Sequence, residues 1–402
     1  MLSLEKRRNV LFIGVAYAVL FVWLSITQAH AEISSRKIVV FKPGVSETVK
    51  AEVVRNHGTS LKHLSLINAE VVMTGGRSPE ELKKNPHVLR VDDDIVVQAF
   101  AKDDVKAEAK GKTTPPPPPE QLPWGIDRID AEKTWDAISG PRIKIGIIDT
   151  GIDLTHPDLK ANIKGGVNTI SPFKSYADDN GHGTHVAGII GALHNTVGVA
   201  GVDPMADLYS IKVLNRSGSG YFSDIIEGLQ YAIANDLDVV NMSLGASTGN
   251  DSFAEAIKAA HDAGIVIVAA AGNEAGAVSY PAAYPEVIAV SATDENNAFA
   301  SFSNYGPEID ISAPGVRIYS AYKGGVYKIL SGTSMASPHV AGVAALVLSK
   351  PIQLTEEIGT PDGAWQPEEV LKKMQDTATD LGNSGFDNWF GAGLVNAYLA
   401  VQ

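Results

Sequence analysis

Asp149, His182, Asn273 and Ser334 are the residue types that a nucleophilic hydrolysis requires, each set among glycines or beside an apolar run. A serine hydroxyl attacks a carbonyl only when a base takes its proton, and the base needs a carboxylate to fix its tautomer. An amide donor beside them stabilises the oxyanion that forms. Asp149 ends Gly146-Ile147-Ile148-Asp149-Thr150-Gly151. His182 lies in Asn180-Gly181-His182-Gly183-Thr184-His185-Val186-Ala187-Gly188, just before an expected helix. A helix N-terminus disfavours the imidazolium, which keeps the ring neutral and able to accept a proton. Ser334 lies in Gly332-Thr333-Ser334-Met335-Ala336-Ser337-Pro338, ahead of an apolar helix at Val340–Leu348 with Pro338 in its first turn. Asn273 lies in Ala270-Ala271-Gly272-Asn273-Glu274. Taken singly, each has a plainer reading: a turn Asp, a turn Asn, an N-cap Ser. His182 and His185, three apart, could ligate a metal, but no third ligand of the HExxH kind accompanies them. His185 reads better as a hydrogen-bonded structural residue.

The elements that must bring these residues together are legible as short β-branched runs. Ile143–Ile148, Asp207–Val213, Val239–Ser243, Ile265–Ala271 and Val287–Ser291 read as buried parallel strands. Ser223–Asn235 and Asp251–Ala263 read as helices between them. The pattern predicts an α/β domain with a doubly wound, mostly parallel central sheet. Sites in such sheets lie beyond the carboxyl ends of the strands, where Asp149 and Asn273 fall.

The rest of the chain divides into three segments. Lys6, Arg7 and Arg8, an apolar run from Val10 to Ile26 and Ala29-His30-Ala31 read as a secretory signal peptide over 1–31, with an uncleaved anchor as the alternative. Residues 32–100 form a small α+β unit. Strands are expected at Lys37–Phe41, Glu70–Met73, Val88–Val91 and Ile95–Ala99, with helices near Glu47–His57 and after a capping box at Ser78 and Glu81. The order is close to βαββαβ, a ferredoxin-like layer. Residues 101–120 are charged, then Pro-rich at Pro115–Pro119, and read as a linker open to proteolysis. A domain over 121–402 follows.

Of 402 residues none is cysteine, so no disulfide or thiol chemistry is available. Residues 1–112 carry a net charge of +4 and the remainder −17. An acidic body repels phosphate and argues against a nucleic-acid partner.

With these motifs in hand the chain resembles the subtilases, the subtilisin-like serine peptidases. The segments around Asp149, His182 and Ser334 match the family's three signatures, in its order Asp…His…Ser. The resemblance covers roughly residues 120–402 and implies a catalytic triad of Asp149, His182 and Ser334 with Asn273 in the oxyanion hole. Residues 36–100 resemble, more loosely, the family's inhibitory and chaperone propeptide. Ser217, Gly218, Ser219 and Gly220 would form one edge of a substrate cleft; Ser243, Leu244 and Gly245 would form the other. An extended peptide would add a strand between them. The flexible-linker reading of the Gly/Ser run is the alternative. Glu274 would stand near the pocket rim.

The resemblance also implies structural calcium. Asp158, Asn195 and the carbonyls of Leu193, Val197 and Val199 would supply oxygens, with Gln121 or Glu120 completing the set. Ala282, Tyr284 and Val287 would offer carbonyls to a second, weaker site. The expectation is a secreted, broad-specificity endopeptidase, autoprocessed from a zymogen, acting on polypeptides as a monomer with no membrane association once the signal is removed. Two rivals are a catalytically silent surface or binding protein with this fold, and an esterase; a G-x-S-x-G elbow is missing. The stretch Pro351–Gln366 reads as an inserted surface loop.

Overall fold

The computed structural model describes residues 35–75, 79–100, 102–103, 117–137, 140–351 and 363–402. The expected signal segment, Ser78 of the capping box, and most of the 101–120 and 351–366 stretches lie outside these residues.

The N-terminal unit runs β1 (Arg36–Phe41), α1 (Glu47–His57), β2 (Gly58–Leu64), β3 (Ala69–Thr74), α2 (Pro79–Lys83), β4 (Val88–Asp93). Its sheet is antiparallel in the order β2-β3-β1-β4. This is the βαββαβ layer, with two corrections to the elements read from sequence. β2 is a strand although Gly58, Thr59, Ser60, Lys62 and His63 give it no apolar alternation; pairing with β3 supports it. Conversely β5 (Val96–Ala99), expected to finish this unit, leaves it altogether.

Ile38 to Phe41 are all buried, and strand alternation explains how. Val39 and Phe41 pack with Val53, Val54 and Leu82 of the unit's own helices. Ile38 and Val40 join the core of the larger body. The N-terminal unit therefore buries its second face against its neighbour.

That larger body begins, after β6 (Lys102–Asp103), with α3 (Trp124–Arg128). It continues through β7 (Lys144–Asp149), β8 (Ile163–Asn168), α4 (His182–Gly191), β9 (Asp207–Lys212), β10 (Ser219–Tyr221) and α5 (Phe222–Ala234). Next come β11 (Val239–Met242), β12 (Leu244–Gly245), α6 (Asp251–Asp262), β13 (Val266–Ala270), β14 (Ile288–Thr293) and β15 (Ile311–Pro314). The chain ends with β16 (Ile318–Tyr322), β17 (Val326–Ser331), α7 (Thr333–Leu348), α8 (Pro367–Asp376) and α9 (Ala397–Ala400).

Seven strands form one parallel sheet in the order β15-β14-β13-β11-β7-β9-β8. Residues of α4 and α7 pack in the core on one face and residues of α5 and α6 in the core on the other. The doubly wound expectation holds. β8, with adjacent Gly165 and Gly166, and β15, only four residues long, extend the sheet beyond the strands legible in sequence. Among the described residues no helix is long and apolar enough to cross a membrane.

Candidate active site

Asp149 is the last residue of β7, and its carboxylate is fully buried. It receives the Thr150 N–H at 2.6 Å and faces His182 Nδ1 at 2.8 and 2.9 Å. With the proton on Nδ1, that ring nitrogen donates to the carboxylate and Nε2 keeps its lone pair. Nε2 is buried and has no hydrogen-bond partner among the described residues.

His182 is the first residue of α4. Burial by itself would lower the imidazole pKa, but the Asp149 charge and hydrogen bond outweigh it, with Asp178 adding to them. The net shift is upward. The helix terminus, expected to keep the ring neutral, is outweighed by the carboxylate that stabilises its cation. His185 behaves as expected of a structural residue. Its Nε2 lies 3.1 and 3.0 Å from the carbonyls of Ile318 and Lys328, and burial holds its pKa down at about 3.

Ser334 is the second residue of α7, so Pro338 stands in the second turn rather than the first. A proline there cannot donate to the carbonyl four residues back, that of Ser334. The Ser243 hydroxyl donates to that carbonyl instead, at 2.9 Å. Ser334 Oγ in turn donates to the Ser243 carbonyl at 2.9 Å. The hydroxyl proton is thus given to Ser243 rather than to His182 Nε2.

Asn273 follows β13. Its Oδ1 accepts from Thr333 N–H and Thr333 Oγ1, both at 2.9 Å, which fixes which way the amide points. Nδ2 donates to the carbonyl of Phe100 at 2.9 Å.

The origin of that carbonyl decides how the cleft is read. β5 lies antiparallel between β10 and β12, with Ser219 opposite Gln98, Gly220 opposite Val97, Leu244 opposite Ala99 and Gly245 opposite Gln98. Ala99 N–H donates to Gly218 O at 3.0 Å and Phe100 N–H to Ser243 O at 3.2 Å. The Phe100 ring is buried against Gly245, where even a Cβ would come within 2.8 Å of it. Ser217, Gly218, His182, Ala99 and Leu330 border a cavity of about 270 Å3 beside it. Past Phe100, β6 pairs with Leu330 and Ser331 of β17. The chain thus crosses the cleft as an added strand, its Phe100 carbonyl held by Asn273. The edge strand begins at Ser219; Ser217 and Gly218 belong to the turn before it. Glu274 turns back on its own loop, with Oε2 accepting from Asn273 N–H and Asn304 Nδ2, both at 2.9 Å.

The model matching the subtilase family spans residues 140–393. The chain belongs to the subtilase family. Subtilisin NAT of Bacillus subtilis subsp. natto is 40% identical over 388 residues, 93% of each chain. Subtilisin J of Geobacillus stearothermophilus is 38% identical over 98% of this chain and 100% of its own length. Subtilisin Savinase of Lederbergia lenta is 46% identical over 285 residues, 70% of this chain and all of that one. This subtilase is a serine endopeptidase with the α/β subtilisin fold.

Away from the cleft, Asp158 is fully buried without a cationic partner among the described residues. Its Oδ1 faces Asn195 Nδ2 at 3.1 Å; Oδ2 accepts from Val199 N–H at 3.0 Å and Tyr327 OH at 2.8 Å. Among the described residues no donor reaches the carbonyls of Leu193, Val197 or Val199. A buried carboxylate beside three free carbonyls is a donor set that fits a hard cation. The Glu120 carboxylate is committed to His194 Nδ1 and Asn195 N–H, whereas Gln121 is tied to the same loop through its backbone, its N–H binding Gly198 O at 2.9 Å. In the second set, the Tyr284 carbonyl already closes a turn with Val287 N–H at 3.1 Å, while Ala282 lies buried two residues before it.

Three contributors were not singled out from sequence. Thr333 orients Asn273, Phe100 packs against Gly245, and Thr150 joins Asp149 to the His182 helix. Thr333 and Thr150 directly adjoin Ser334 and Asp149 in the signatures; Phe100 carries no signal beyond being the one aromatic residue at the end of an apolar run.

Proposed function

We propose that Ser334 is the nucleophile, His182 its base, Asp149 the orienter and Asn273 the oxyanion donor of a secreted, self-processing endopeptidase. A turn about the Ser334 Cα–Cβ bond takes Oγ from the Ser243 carbonyl towards His182 Nε2, the open acceptor. Nε2 takes the hydroxyl proton as Oγ attacks the peptide carbonyl. The oxyanion receives Asn273 Nδ2–H and the Ser334 backbone N–H at the start of α7. Nε2–H then protonates the departing amine, and water, activated by the same nitrogen, hydrolyses the acyl-enzyme.

One observation carries this reading: the Phe100 carbonyl is bound to the Asn273 amide while residues 96–98 pair with β10 and 98–99 with β12. The bond that follows, Phe100–Ala101, is the first to be cut, at the N-terminal limit of the linker. Residues 32–100 then act as propeptide, inhibitor and folding chaperone, their tail filling the cleft as a substrate would. The cleft suits polypeptides, with a large apolar or aromatic side chain before the cut and a small one at the Ala99 position. Residues 1–31 serve as the signal peptide, and the released enzyme is a monomer free of the membrane.

Calcium would be held by Asp158, Asn195, Gln121 and the carbonyls of Leu193, Val197 and Val199, and would supply folded-state stability to an enzyme without disulfides. A weaker cation would use the carbonyls of Ala282, Tyr284 and Val287.

The test is N-terminal sequencing of the purified full chain beside its Ser334→Ala form. The wild type should yield a chain beginning at Ala101 or trimmed beyond it, and the variant should keep the Phe100–Ala101 bond. A variant cut there at the normal rate would refute the assignment.

A further inference from the structure

A second carboxylate stands behind the triad, and the mechanism above does not use it. Asp178 precedes α4 in the loop that carries His182. Its Oδ1 accepts from Thr150 Oγ1 at 2.9 Å and from the N–H groups of Asn180 and Gly181 at 2.8 Å each. Its Oδ2 accepts from Thr184 N–H at 3.1 Å and Thr184 Oγ1 at 2.6 Å. Asn180, aligned in this way, accepts the His182 N–H on its own Oδ1 at 3.0 Å.

Thr150 is the link to the other side of the site. Its N–H donates to Asp149 Oδ1, its hydroxyl donates to Asp178, and the same hydroxyl oxygen accepts the Gly183 N–H at 2.9 Å. The end of β7 and the start of α4 are therefore tied by one hydroxyl whose direction Asp178 sets. The approach is close: a Cβ on Gly183 would lie 2.2 Å from the Gly151 carbonyl.

We infer that Asp178 is a positioning residue for the proposed reaction: through Thr150 it sets Asp149 and His182 relative to each other, and its charge favours the imidazolium formed during catalysis. The inference rests on the triad assignment. Burial pushes the Asp178 carboxyl up against the lowering pull of its donors, and all five groups around it point a hydrogen at its two oxygens. Other charged or titratable groups around the ring are few. Asp149 faces it from β7, and His185 stands one turn along α4. Lys212 of β9 gives its Nζ to the carbonyls of Thr150 and Leu214 and to Asp179. Lys323 binds the Asp179 carbonyl, and Lys328 lies over the Tyr322 ring. Asp149 and Asp178 are the charges that raise His182.

The experiment uses the processed enzyme with Asp178→Asn and Thr150→Val, read by kcat, KM and the acid limb of kcat/KM. Asp178→Asn should lower kcat about tenfold with KM nearly unchanged, and move the acid limb down by about half a pH unit. Thr150→Val keeps the charge and cuts the tie, so kcat should fall while the acid limb stays in place. An unmoved acid limb in Asp178→Asn, or wild-type kcat in Thr150→Val, overturns the inference; if Asp178→Asn fails to mature, Thr150→Val decides alone. Ser334→Ala is run in parallel: activity there would sink the triad assignment, a different result from either of these.

Discussion

At the scale of single residues, the candidate site fixes one end of a polar side chain and leaves the other for the proposed reaction. The Asp149 carboxylate takes the Nδ1 side of His182, and Nε2 has no partner among the described residues. Thr333 takes the oxygen of Asn273 and leaves its Nδ2–H to meet a carbonyl. Replacing Asn273 by Ala should therefore lower kcat by about 10²–10³ with little change in KM, the range seen when the corresponding donor of a subtilisin is removed. The pH profile follows from the upward shift of His182. The imidazolium cannot accept the Ser334 proton, so activity is lost as pH falls through the raised pKa. The acid limb of kcat/KM should lie above 6.5 in the wild type, and Asp149→Asn should abolish most of the rate across the whole range. The four candidate residues stand out in the sequence because each sits in a motif with a nearby glycine. The Ser334 hydroxyl's bond to Ser243, and the net direction of the His182 shift, do not. Both depend on partners roughly 90 and 33 positions away in the chain.

At the scale of elements, one misread strand changes the picture of the molecule. Ile95–Ala99 reads as a strand of the N-terminal layer; Val96–Ala99 is a strand, yet its partners lie in the larger body. Periodicity reports that a segment pairs, not with what. The void it left in the N-terminal layer is filled by β2, whose polar residues concealed it. The two units are joined by more than this strand. Asp94 accepts the Ser223 N–H and hydroxyl at the first turn of α5, and it pairs with Arg36 at 2.8 Å. Asp92 does the same for Ser252 of α6 and pairs with Arg90. Each carboxylate acts as a helix cap donated across the interface, and such caps contribute about 1 kcal/mol each. Asp92→Ala combined with Asp94→Ala should leave the first cut intact but speed dissociation of residues 32–100 from the cleaved complex by about tenfold or more. Measuring the lag before casein hydrolysis appears reads this directly; an unchanged lag would show that the caps do not hold the complex.

At the scale of the whole molecule, a parallel sheet sealed by α4 and α7 on one face and α5 and α6 on the other holds the ends of β7, β11 and β13 in one line. The alternation of apolar runs and helices made this architecture readable, although β8 and β15 were too glycine-rich or too short to be seen. No disulfide reinforces it. Calcium at the proposed Asp158 site should contribute about 4 kcal/mol at a thousandfold excess over Kd, which for a domain of this size is about 10 °C in Tm. A chelator should lower Tm by that order in the wild type and have little effect on Asp158→Ala, whose Tm should already be low. Equal chelator sensitivity in both would remove Asp158 from the site. The account as a whole stands on Ser334 being made nucleophilic by His182. Treating the processed enzyme with an aryl phosphonate and mapping the adduct by mass spectrometry tests this most directly. A single adduct on Ser334, lost in His182→Ala, is the predicted result; peptide hydrolysis that persists with Ser334 unlabelled, or a stoichiometric adduct on another residue, would contradict it.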